Sequence, residues 1–183
     1  ENEEGYRNLS YMVSQANLDG FYGKPRIDLS LLREHHEGLI ALSACLAGEI
    51  PKRLLAGNYE GAKEHALKMA ELMGEDNYYL EIQDHGIEEQ KVVLEGILRI
   101  HKETGIPLVA TNDAHYLRKE DARTQDVLMC IQMGRYIDEG GLFQTDEFYI
   151  KSGDGRILCE IRGGDAHPVL PVAGGHREHP AHR

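Results

Sequence analysis

Three short apolar runs alternate with helical stretches that stop at glycine, and this order does most to limit the fold. The runs are GLIALS (38–43), NYYLEIQ (77–83) and IPLVAT (106–111). Each has strand length and bears turn residues at its edges. Between the first two lie GEIPKRLLAGN, stopping at Gly57, and NYEGAKEHALKMAELMG, capped by Asn58 and stopped by Gly74. The second of these places Ala62, Ala66, Met69 and Met73 on one helical face. IEEQKVVLEGILRIHKETG (87–105) and KEDARTQDVLMCIQMG (119–134) follow the second and third runs. Alternating strands and helices imply parallel strands joined by crossover helices, an α/β class. The apolar character of the runs fits strands covered on both faces. A barrel and a doubly wound sheet fit this order equally. EFYIKS (147–152) reads as one more short strand.

Ahead of this pattern, residues 3–18 place Tyr6, Leu9, Val13 and Ala16 at helical spacing, which predicts an amphipathic helix buried on that face. DGFYGKPRID is a Gly- and Pro-punctuated loop, and Asp28 is placed to cap a short helix over 29–35.

The formal charge of −11 argues against a nucleic-acid surface within these 183 residues, because phosphate contacts need clustered Lys and Arg. It favours carboxylate chemistry at a metal. Three cysteines, Cys45, Cys130 and Cys159, have no framework spacing, which fits a reducing cytoplasm. The chain contains no apolar run of about 18 residues or more, so no membrane span is expected. It opens at Glu1 and is read as a fragment.

From Asp154 the composition changes. Residues 154–183 hold three of the six prolines, four of the ten histidines and no lysine, with zero formal charge. The periodicity of helix or strand stops there. The expected organisation is therefore a domain over 1–153 and an irregular stretch over 154–183, either disordered or read out of frame.

Three strand ends carry residues of metal-ligand type: Ser43 and Cys45, then Asp84 and His85, then Asp113 and His115. In parallel α/β folds the carboxyl ends of the strands share one face, where active sites are built. Carboxylate, imidazole and thiolate together suit zinc or another first-row divalent ion, which could activate water for phosphoester hydrolysis. Each residue also has a plain structural reading. Cys45 could be a small buried hydrophobe. Asp84–His85–Gly86 is good turn chemistry. Asp113 could cap a turn, and His115 could be a loop residue. His35 and His36 read as a solvated helix end, His65 and His101 as outward helix residues, and Cys130 as core.

The stretches GYRNLSYMVSQA, GFYGKPRID, GLIALSACLAGEI, YYLEIQDHG, IPLVATNDAHYL, QDVLMCIQMG and FYIKS, in this order, carry a specific resemblance. The sequence closely resembles the PHP (polymerase and histidinol phosphatase) domain of bacterial replicative DNA polymerase III alpha subunits of the DnaE type, from about residue 4 to 152. The resemblance implies a distorted (β/α)7 barrel with zinc or manganese at its rim. Cys45, Asp113 and His115 match ligand positions of that family, and His85 lies in a family-typical segment as a further candidate. The His-x-His strand that opens the family domain does not precede Glu1, so the resemblance implies a partial barrel, incomplete at its N-terminus. It further implies a parent DNA-directed DNA polymerase acting in DNA replication, with magnesium at its polymerase site and with DNA, sliding clamp and clamp loader as partners. A metal-dependent 3′–5′ exonuclease role comes with the full ligand set; this fragment alone is expected to be inactive. A histidinol-phosphatase-like phosphoesterase and a non-catalytic PHP scaffold are the alternatives.

Overall fold

The structure is a computed structural model that describes residues 1–134 and Tyr136. The expected strand at 147–152 and the 154–183 stretch lie outside the described residues. The chain forms two compact units, the first Glu1–Thr111 and the second beginning at Asn112.

The first unit holds three parallel strands in the order β1 (Ala41–Leu42), β2 (Tyr78–Ile82), β3 (Leu108–Ala110). The register pairs Ala41 with Tyr78 and Glu81 with Val109. Helices α1 (Glu3–Leu18) and α2 (Leu29–Glu34) precede β1. Helices α3 (Glu49–Leu55) and α4 (Tyr59–Met73) make the first crossover, and α5 (Glu88–Thr104) makes the second. The α/β class and the parallel order expected from the sequence are both present.

Local chemistry explains the boundaries. Asn58 caps α4 by accepting from the Gly61 N–H at 3.0 Å, and Asp28 caps α2 by accepting from Leu31 at 2.8 Å. Helix α5 ends at Gly105 in the left-handed region (φ 75°), a conformation that favours glycine. Ile50 on α3, Met73 on α4, Leu80 on β2 and Ile97 and Ile100 on α5 are fully buried. Each such side chain contributes on the order of 1.5–3 kcal/mol through removal from water.

Two expectations change. Helix α1 buries Gly5, Met12 and Ala16, while Tyr6, Leu9 and Val13 are exposed. Close backbone approach decides the face: a Cβ on Gly5 would stand 1.9 Å from the Gly38 carbonyl oxygen. The turn before β1 therefore presses on the Gly5 side of the helix, and Asn8 donates to the Glu37 carbonyl at 2.9 Å. Strand β2 alternates, with Tyr78, Leu80 and Ile82 buried and Tyr79 and Glu81 half-buried. One face is packed, and the other carries polar groups.

The histidines of the helices are more engaged than their spacing suggests. His35 stacks its ring 4.5 Å from that of Tyr11, and His36 Nδ1 donates to the Arg33 carbonyl at 2.8 Å. Half-buried His101 donates from Nδ1 to the Ile106 carbonyl at 2.7 Å. Burial pushes the His65 imidazole below its ordinary value, despite the nearby Glu49 carboxylate.

The second unit holds a short 3-10 turn, Lys119–Asp121, and α6 (Ala122–Met133), which ends at Gly134. Cys130 is buried, as expected for core.

Candidate metal centre

The strand ends of the first unit deliver polar groups to one rim. After β1 the chain reaches buried Ser43, then Ala44 at φ 68°, then exposed Cys45. The left-handed Ala44 turns the chain sharply, and the Gly48 N–H closes the bend on the Cys45 carbonyl at 2.7 Å. The thiol is therefore no buried hydrophobe. It borders a cleft of about 270 Å³ together with Glu81, Gln83 and Gln90.

After β2, Asp84 accepts from the Gly86 N–H at 3.0 Å. That is the side-chain-to-backbone closure of an Asx turn. His85 is 1% exposed. Its backbone N–H donates to Gln90 Oε1 at 2.8 Å, and Gln90 Nε2 lies 3.0 Å from His85 Nδ1. A backbone N–H only donates, so the oxygen of Gln90 must face it and the amide NH₂ must face the ring. Neutral His85 then keeps Nδ1 as acceptor and carries its proton on Nε2.

His115, in the second unit, has the opposite arrangement. Its Nδ1 lies 2.9 Å from the Asp113 carbonyl oxygen and 3.8 Å from Asp113 Oδ1. A carbonyl only accepts, so Nδ1 carries the proton and the lone pair stands on Nε2. Metal-bound histidines typically have this backing by a carbonyl on the second nitrogen. The side chains of His115 and Asp113 are 36% and 37% exposed, so both reach solvent.

The donor chemistry of Cys45, Asp113 and His115 therefore fits a borderline divalent ion. Among the described residues, no three His, Cys, Asp or Glu side chains stand close enough together to hold a metal ion.

Spacing alone missed Gln90. It occupies the third position of α5, where a Gln that reaches back to an upstream N–H is a known capping signal. A ring of hydrogen bonds beyond the β2–β3 pair was missed as well. Thr111 Oγ1 donates to Glu81 Oε1, and Gln83 Nε2 donates to both Thr111 Oγ1 (3.1 Å) and Glu81 Oε1 (3.3 Å). The Glu81 N–H donates to Ser43 Oγ at 2.8 Å. Glu81 and Gln83, two apart on a strand, share a face, and that period-2 signal was legible.

Comparison with known proteins places the chain. Residues 1–85 match the PHP domain. The DNA polymerase III subunit alpha of Treponema pallidum is 49% identical over 156 residues, 84% of this chain and 13% of that protein. Its counterpart in Borreliella burgdorferi is 45% identical over 163 residues, covering 88% of this chain and 14% of the relative. The Thermus aquaticus subunit is 46% identical over 165 residues, again 88% of this chain and 13% of the relative. The chain thus spans about one seventh of the length of these relatives. Among the described residues, no helix is long and apolar enough to cross a membrane.

Proposed function

Because this chain carries PHP-domain sequence homologous to bacterial DNA polymerase III alpha subunits, we propose that it is a segment of a replicative DNA-directed DNA polymerase. The carrying observation is identity of 45–49% over more than four fifths of the chain. In that setting the three strands are part of a (β/α)7 barrel. The parent protein is cytoplasmic, takes magnesium at its polymerase site, and works with DNA, sliding clamp and clamp loader.

Within the PHP domain, the proposed activity is 3′–5′ phosphodiester hydrolysis that removes mispaired ends. Cys45, Asp113 and His115 are the proposed ligands for zinc or manganese. Bound divalent ions would supply Lewis-acid charge at the phosphodiester. The support within this chain is chemical. His115 presents its Nε2 lone pair, Asp113 holds the other ring nitrogen through its own carbonyl, and Cys45 is exposed at its rim. His85, first considered as a ligand, has its Nδ1 turned to the Gln90 amide. Its role in this reading is to hold the turn after β2.

The test is nucleotide release from a 3′-mispaired primer by the intact polymerase, with the polymerase aspartates left unchanged. Asp113→Asn is expected to abolish release while primer extension continues. Equal release by wild type and variant would remove the exonuclease role. Release of phosphate from histidinol phosphate instead would favour the small-ester phosphatase reading.

A further inference from the structure

Glu81 is a half-buried carboxylate on β2 that no ion pair among the described residues engages. Its partners are all neutral hydrogen-bond donors. Thr111 Oγ1 donates to its Oε1, Gln83 Nε2 donates to the same oxygen at 3.3 Å, and its backbone N–H goes to Ser43 Oγ at 2.8 Å. Gln83 also donates to Thr111 Oγ1 at 3.1 Å, which closes a ring in which each donor hydrogen has one acceptor. These four residues come from the ends of three strands. Ser43 follows β1, Glu81 and Gln83 lie on and after β2, and Thr111 follows β3, where its N–H adds a last bond to the Ile82 carbonyl at 3.1 Å. Cys45 leaves the sheet two residues after Ser43, and Asp113 follows two residues after Thr111.

We propose that Glu81 is a positioning residue for the metal centre, acting as the acceptor that holds the exits of β1 and β3 in register with β2. The proposal rests on the reading of Cys45, Asp113 and His115 as ligands. Glu81 does not touch the metal. It works through Ser43 and Thr111, whose chain directions set where the ligand-bearing loops begin. Outer groups that orient ligands typically change metal affinity by about 10–100-fold when removed. The acceptor role needs an oxygen, not a charge, so the amide of glutamine serves in its place.

The experiment is cobalt(II) titration of the intact polymerase, read by the near-ultraviolet thiolate-to-cobalt band and by the d–d spectrum. Glu81→Leu is expected to weaken cobalt binding roughly tenfold or more and to diminish the thiolate band. Glu81→Gln is expected to keep both. Thr111→Val, close in shape to threonine, is expected to follow Glu81→Leu, and Thr111→Ser to follow wild type. This second pair keeps the test open if Glu81→Leu fails to fold. Primer extension unchanged in each variant shows that the polymerase is intact. Unchanged cobalt affinity and spectrum in both Glu81→Leu and Thr111→Val would overturn the proposal. So would loss in Glu81→Gln equal to that in Glu81→Leu. A wild-type spectrum without a band that Cys45→Ser removes would overturn the ligand reading itself, and the proposal with it.

Discussion

Gln90 holds His85 at two points, accepting from its backbone N–H at 2.8 Å and approaching its Nδ1 through the amide nitrogen at 3.0 Å. One side chain from the first turn of α5 thereby fixes both the backbone and the ring of a residue beyond β2. The same logic of obligate donors and acceptors gives His115 the other tautomer, through the Asp113 carbonyl.

The two histidines should therefore separate by nitrogen-15 imidazole resonances at neutral pH. His85 is expected as the Nε2–H form and His115 as the Nδ1–H form. His85 observed as Nδ1–H would contradict the Gln90 clamp. Gln90→Ala leaves a buried N–H and ring nitrogen without this partner, and is expected to cost about 1–3 kcal/mol in urea unfolding.

Helix α1 provides a check on packing. Met12 is buried, and Leu9 and Val13 are exposed. Met12→Ala is expected to cost about 2–5 kcal/mol. Leu9→Gln and Val13→Ser are expected to stay within about 0.5 kcal/mol of wild type, as surface substitutions do. The reverse order would restore the Tyr6–Leu9–Val13 face as the core face.

That face shows where the sequence was legible and where it was not. The strand–helix alternation, the caps at Asn58 and Asp28 and the stop at Gly105 follow from local chemistry, and each is present. The rotation of α1 depended on something non-local, the contact of Gly5 with the Gly38 carbonyl across 33 residues of chain. Side-chain periodicity carries no record of such a contact. The turn reading of Asp84 was available from its neighbour Gly86. The Glu81–Thr111 bond required the β2–β3 register, which pairs Glu81 with Val109 and so brings Thr111 within reach. The exposure of Cys45 depended on the left-handed Ala44, a position that sequence alone gives no reason to expect.

Lys63, Arg99 and Tyr59 surround Glu103, and the acid response follows from them. The Lys63 ammonium and the Arg99 guanidinium, donating at 2.8 and 2.9 Å, hold the Glu103 carboxyl down from 4.5 to about 2. A carboxylate held down in the folded state stabilises the fold above its unfolded pKa. That stabilisation fades as pH falls from about 4.5 toward about 2. Glu103→Gln should therefore flatten the acid limb of melting temperature against pH in this interval and leave the shape above pH 5 unchanged. Parallel acid limbs for variant and wild type would show that the cluster contributes nothing to folding.

Removing the core side chain at the centre of the sheet gives the largest single effect expected. Leu80 is fully buried. Leu80→Ala should cost about 2–5 kcal/mol through lost burial and the cavity left behind. A loss under about 1 kcal/mol, measured by urea unfolding, would mean that the α3–α5 side of β2 is not the packed core described.

The central claim is that Cys45, Asp113 and His115 hold divalent metal, and elemental analysis of the intact polymerase tests it most directly. Purified wild-type protein is expected to carry zinc or manganese at a fixed ratio per chain. The Asp113→Ala, His115→Ala double variant, still active in primer extension, is expected to lose metal from that count. An identical metal content in the two proteins would contradict the account.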